Sequence, residues 1–259
     1  MPFHSSASHL GFAAFILIAG LGHTQAGDAA ARRVLGFSPD GRYFAIEQYS
    51  MIYDAEESFA EYIFIETNTD QFVRGTPIKV TTRGADGLDE TKARTVAAAN
   101  AMPLLKRLRI GVSGVKIAGR PSIDLDNIGI YQSRIEPLAK SLDIHLFADR
   151  PAKLTVVSIP IVESMCEGFG GRSVAGKAMG YGLTLTMAEN GTPPITLHQD
   201  RKLPNSRRCA ADYGIAEAYL YRARNGSVTL AVLIEVEDNA DYHAGPNRRF
   251  MVVTRQMKK

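Results

Sequence analysis

Residues 1–26 contain no lysine, arginine, aspartate or glutamate, although the 259-residue chain carries 30 basic and 27 acidic side chains. Within this uncharged stretch Leu10–Leu21 reads LGFAAFILIAGL. It falls short of the ~20 apolar residues a spanning helix needs, but has the length of a signal-peptide core. Thr24-Gln25-Ala26 then offers small residues where a signal peptidase cuts. The expectation is a signal peptide over 1–26, cleaved after Ala26, and a mature domain over 27–259 without a stable membrane span. Its compartment would be the periplasm or the exterior. His4 and His9 stand where such signals usually carry lysine or arginine.

Other absences narrow the function. No block of five or more like charges occurs and the net charge is only +3, so nucleic acid is not an expected partner. No Gly-x-Ser-x-Gly elbow marks a common hydrolase. The mature histidines His145, His198 and His243 are far apart in sequence, so no close-set pair suggests a metal site. Gly168-Phe169-Gly170-Gly171-Arg172-Ser173 lacks the Gly-Lys-Ser/Thr ending of a phosphate-binding loop. Asp86-Gly87-Leu88-Asp89-Glu90 lacks the alternating acids of a calcium loop and reads as a turn plus helix cap. No cofactor and no catalytic constellation is implied.

Only two cysteines are present, Cys166 and Cys209. One pair has one possible connectivity, and an oxidising compartment favours forming it. Loop-entropy arguments give such a bridge ~4 kcal/mol.

What the chain does contain is turn chemistry between short β-prone runs. Ser38-Pro39-Asp40-Gly41 joins Val34-Leu35-Gly36-Phe37 to Tyr43-Phe44-Ala45-Ile46. Pro39 presets φ, Asp40 bonds its own backbone and Gly41 tolerates positive φ, so a hairpin is expected. Strands near 61–66, 71–73 and 76–80 continue the pattern into a meander of the size of a propeller blade. The motif does not recur at a fixed period, which argues against a complete propeller. An Ala-rich helix is expected from Asp89 to about Met102, kinked or split at Pro103. Strands are then expected at 143–148, 154–159, 181–188, 195–199, 216–222, 228–236 and 249–254, a second antiparallel meander. The fold class is therefore α+β, mostly antiparallel β, with one helix packed on a sheet. A subdivision near 110–150 is conceivable.

Several stretches together carry a resemblance. They are Leu35-Gly36-Phe37-Ser38-Pro39-Asp40-Gly41-Arg42, Cys166 before a Gly-rich run, Leu203-Pro204-x-Ser206-Arg207-x-Cys209 before Tyr213, and Gly245-Pro246-x-x-Arg249-Phe250. With the N-terminal signal and Ala-rich helix, the chain resembles a family of predicted secreted bacterial proteins, domain of unknown function 2259. The resemblance implies the compartment and the cysteine pair, and brings no catalytic residues. The chain departs from the family pattern at Asp241-Tyr242-His243-Ala244.

The sequence thus suggests a non-catalytic binding or interaction module of the cell envelope, with an envelope protein or glycan as partner. The candidate binding loops are Asp54 with Glu57 and Asp241 with His243. The alternative is an envelope-polymer hydrolase using dispersed carboxylates such as Glu57 or Asp241. Glu56 and Glu61, and the basic pair Arg207-Arg208, are expected to be solvated.

Overall fold

The computed structural model describes residues 29–52, 55–119, 137–146, 150–162, 166, 177–189, 191–204, 207, 209–238 and 247–257. The expected signal segment 1–26 and the residues Asp54, Asp241 and His243 lie outside this set.

The chain begins with β1 (Ala31–Phe37), β2 (Tyr43–Ile52), β3 (Glu57–Glu66), the short β4 (Gln71–Phe72) and β5 (Ile78–Thr82). The β1–β2 turn forms as its residues require. Ser38 N–H donates to Tyr43 O at 2.9 Å, Ser38 Oγ donates to Asp40 Oδ1 at 2.6 Å, and Gly41 takes φ +72. These five strands make one antiparallel sheet in the order β1-β2-β3-β4, with β5 also paired to β3. That is not the single four-stranded path expected of a propeller blade, and the blade reading finds no confirmation.

The helix α1 (Glu90–Leu108) follows, capped by Asp89, whose Oδ1 accepts from Lys92 N at 2.8 Å. Ala93, Ala97, Ala101 and Leu104 are its buried residues, spaced by three and four so that one stripe meets β3 and β5. The expected break at Pro103 does not occur, and the helix runs through it. Proline removes the N–H that would reach Ala99 O and its ring crowds that carbonyl, which together cost about 3 kcal/mol in a helix interior. Buried Ala101 and Leu104 on either side hold both halves against the same sheet.

The rest of the chain divides into two sheets instead of the single second meander expected. Its strands are β6 (Val115–Gly119), β7 (Ser141–Leu146), β8 (Arg150–Val162), β9 (Lys177–Met187), β10 (Ile195–Gln199), β11 (Ala210–Arg222), β12 (Val228–Asp238) and β13 (Asn247–Met257). One sheet has the order β10-β9-β8-β7 and the other β13-β12-β11-β6. The latter is central. On β12, Leu230, Val232, Ile234 and Val236 pack toward the β7–β10 sheet, whereas Ala231 and Leu233 pack toward the β1–β5 sheet. Both parities of this strand are apolar because both faces are covered. The molecule is therefore a stack of helix, N-terminal sheet, central sheet and outer sheet.

Cys166 and Cys209 form the expected disulfide, with Cα atoms 5.5 Å apart. Cys209 lies directly before β11 of the central sheet and Cys166 beyond the end of β8 of the outer sheet. The bridge, packed with Leu203 and Ala178, staples those two layers.

Candidate functional site

Strand alternation sends Arg32 and Arg33, adjacent on β1, to opposite faces of the N-terminal sheet. Arg33 turns toward the helix, where its Nη2 lies 2.8 Å from Glu47 Oε2. Arg94 of α1 meets the other oxygen of Glu47 at 3.0 Å and sits 3.7 Å over the ring of Tyr49. Arg32 turns toward the central sheet, where its Nη2 donates to Glu217 Oε1 at 3.0 Å. Its guanidinium lies 4.4 Å over the Phe250 ring.

Glu217 is a carboxylate within the apolar stretch 215–220 of β11, and its side chain is only 4% exposed. A bulge between Ile215 and Glu217 in the pairing of β11 with β12 aims it at the N-terminal sheet. Lys116 Nζ on neighbouring β6 donates to Oε1 at 2.7 Å, and Tyr219 Oη donates to Oε2 at 2.8 Å. Burial alone would raise the Glu217 pKa, but the Lys116 hydrogen bond and Arg32, with the Tyr219 hydroxyl, outweigh it and hold the carboxyl below its usual range. The Tyr219 hydroxyl is pushed upward by burial and by the carboxylate it serves.

A cleft of about 330 Å3 opens over this group. It is lined by Glu217 and Tyr219 of β11, by Arg32, Arg33, Val34 and Gly36 of β1, and by Ser113, Gly114 and Lys116. Glycine is required where the walls meet. Gly36 has φ +103, and a Cβ there would sit 2.5 Å from Val112 O. Gly114 packs against the Phe37 ring, where a Cβ would lie 2.6 Å from Cε2. The Nε of Arg32 is buried and has no hydrogen-bond partner.

A second buried carboxylate sits at the disulfide end. Asp200 accepts from Tyr181 N at 2.9 Å, meets His198 Nε2 at 2.9 Å and is bonded by Arg207 Nη1. Arg207 lies 4.9 Å over the Tyr181 ring, and His198 stacks on that ring at 4.5 Å. Burial would raise the Asp200 pKa, but the His198 and Arg207 bonds lower it overall. Burial pushes the neighbouring Tyr213 hydroxyl up to about 12. Arg207, expected on the solvated surface, is instead 8% exposed, because the disulfide-tethered segment lays it across two rings. Among the described residues no serine, threonine or cysteine hydrogen-bonds His198.

The residues singled out from the sequence do not assemble here. Ser38, Pro39, Asp40 and Gly41 form a turn docked on the central sheet, with Tyr221 Oη donating to Pro39 O at 2.9 Å and Thr229 Oγ1 to Gly41 O at 3.2 Å. Glu57 begins β3, pairs with Arg83 and does not line the cleft. Glu61, expected to be solvated, lies within β3 and accepts from Gln48 Nε2 at 2.7 Å. Among the described residues no group of three or more potential metal ligands occurs, and no helix is long and apolar enough to cross a membrane. The cleft residues Arg32, Lys116 and Glu217 escaped sequence reasoning. One signal was available: a lone glutamate inside Ile215-Ala216-Glu217-Ala218-Tyr219-Leu220 must find cations if that strand is buried.

A family model described as a predicted secreted protein (DUF2259) matches residues 45–256. No curated protein and no solved structure matches the chain.

Proposed function

Because the chain belongs to the DUF2259 family of predicted secreted proteins, we propose that it works in the periplasm or outside the cell as a non-catalytic binding module, with the β1–β6–β11 cleft as its ligand site. On this reading the signal segment 1–26 is removed and the mature chain is one domain. The observation that carries the reading is the cleft itself: a concavity in which buried Glu217 is met by Arg32 and Lys116, the three residues being held by two different sheets. Its volume is in the range of small-molecule sites. Its polar groups stand on strands, which fixes them better than loops would. Of the carboxylates named for the hydrolase alternative, Glu57 pairs with Arg83, and Asp241 lies outside the described residues.

The test is to titrate 15N-labelled mature protein with the small-molecule fraction of a bacterial envelope, then recover that fraction for mass spectrometry. Amide shifts should cluster at Ser113, Gly114, Lys116 and Tyr219, vanish in Ser113→Trp, and leave the fraction chemically unchanged. Shifts scattered elsewhere, or new products in the recovered fraction, would overturn the reading.

A further inference from the structure

We infer that the outward face of α1 is a docking surface for an anionic lipid bilayer. On it the helix lies flat, with Val96 and Met102 at the acyl boundary and Lys106, Arg107 and Arg109 on the headgroups. This stands apart from the cleft, to whose lining α1 contributes no residue.

The fold leaves this face open. α1 is an outer layer, and its stripe of Ala93, Ala97, Ala101 and Leu104 is spent on the N-terminal sheet. Helical spacing turns Val96, Ala99, Met102 and Lys106 away from that stripe, and all four are exposed. Val96 is 42% and Met102 44% exposed, where a solvated helix face ordinarily carries polar residues. Pro103, beside Met102, is exposed as well.

Charge gives the sign of the partner. Residues 91–119 contain no aspartate or glutamate. Lys106 ends the outward row, and Arg107 and Arg109 flank it. All three are exposed, and none pairs with a carboxylate among the described residues. The helix macrodipole favours bases in the last turn, but it does not account for the apolar side chains left in water beside them. Nor does it account for Arg109, which caps the helix at φ +54, a left-handed conformation where glycine is the usual choice. A cation is kept there against the preference of the backbone.

A bilayer surface answers both features at once. An interfacial helix buries its apolar face between headgroups and acyl chains, while bases on flexible apolar stems reach the anionic headgroups. An acidic polymer would match the bases and leave Val96 and Met102 in water. No described helix is long and apolar enough to cross a membrane, so α1 would lie on the surface. With so few apolar side chains its hold would be reversible.

The protein contains no tryptophan, so Met102→Trp places a single fluorescent reporter on this face. Its emission, and co-sedimentation of wild type, are read against two kinds of vesicle: phosphatidylcholine alone, and equal parts phosphatidylcholine and phosphatidylglycerol. The mixed vesicles should shift the emission to the blue and carry wild type down, and salt should release it. Neutral vesicles should do neither. Lys106→Gln combined with Arg107→Gln should weaken binding about 25-fold, at about fivefold per base. Arg109→Gly should weaken it about fivefold while raising the thermal unfolding midpoint, because glycine suits that backbone. A merely structural arginine would not separate those two readouts. Failure of wild type to bind the mixed vesicles, equal binding to neutral ones, or unaltered binding by the double variant would overturn the inference. So would capture by soluble polyglutamate as tight as by mixed vesicles with no change in emission, which would assign the face to an acidic protein.

Discussion

The central sheet has two faces, and they are held in different ways. Toward the outer sheet it is largely dry: Leu230, Val232 and Ile234 meet Leu154, Leu183 and Leu185. Polar crossings such as Tyr213 Oη to Met179 O at 2.7 Å and Ser158 Oγ to Asp212 Oδ1 at 2.6 Å gather near the start of β11, and the disulfide staples the layers at that end. Toward the N-terminal sheet the contact is laced with polar groups. Gln48 reaches across to the last strand, accepting from Phe250 N at 2.8 Å and donating to Phe250 O at 3.2 Å. Asp70 accepts from Thr254 N at 2.7 Å, and Ala30 N donates to Arg248 O at 2.9 Å. Arg32 and Glu217 complete the row. The dry face gains its stability from apolar area, which is non-directional. The polar face gains register and leaves the cleft, because each buried donor there has a particular acceptor to find. Binding chemistry therefore sits on the face whose contacts are directional.

The comparison can be broken most forcefully from the dry side. Leu230→Ala should cost about 2–5 kcal/mol in urea unfolding, since it opens a cavity between two sheets. A smaller loss would show that this face is not the chief source of stability. Replacing both cysteines by serine should cost about 2–4 kcal/mol and leave the cleft amides unmoved in NMR spectra, because the staple joins the other pair of layers. On the polar side, Gln48→Ala strands the Phe250 N–H and carbonyl and should cost about 1–3 kcal/mol. Hydrogen exchange at Phe250 should rise more than at Leu233, the β12 partner of Val252.

The smallest effect is the most specific. The Glu217 carboxyl titrates below its ordinary value in the folded protein, so its contribution is present above about pH 4.3 and is lost as pH falls through the lower folded value. Wild type should therefore exceed Glu217→Gln in stability at pH 7, and the gap should close on acidification. Asp200 and Asp212 shift the same way but are common to both proteins and cancel. A gap that stays constant with pH would mean Glu217 is not held by its cations.

Legibility followed sequence distance. The Ser38–Gly41 turn, the Asp89 cap and the strands beside Asn225-Gly226 are local, so propensity and side-chain-to-backbone bonding spell them out. The disulfide was legible because compartment and count leave one pairing. The cleft was not, since Arg32 and Glu217 are 185 positions apart and Lys116 and Glu217 101. A one-residue bulge, invisible to period-two reading, decides where Glu217 points. Arg207-Arg208 looked solvated for the same reason: nothing nearby announces that Tyr181 and Asp200 will close over Arg207. Stacking order was equally hidden, although the unbroken apolar run of β12 was its trace.

The outer edge of β13 has a consequence of its own. A bare strand edge is a template on which other chains can grow, and this sheet ends in a strand whose outward groups at Arg248, Phe250 and Thr254 are already answered by Ala30, Gln48 and Asp70. The partners come from the other end of the chain, so the edge is sealed only once both ends have arrived. Folding must then wait for contacts of long sequence separation, which slows it. During that wait the last strand is at its most vulnerable to self-association. A chain threaded out of the cytoplasm from its N-terminus would keep Gln48 and Asp70 waiting in water until the final strand follows, and its propensity to aggregate would be set by that interval.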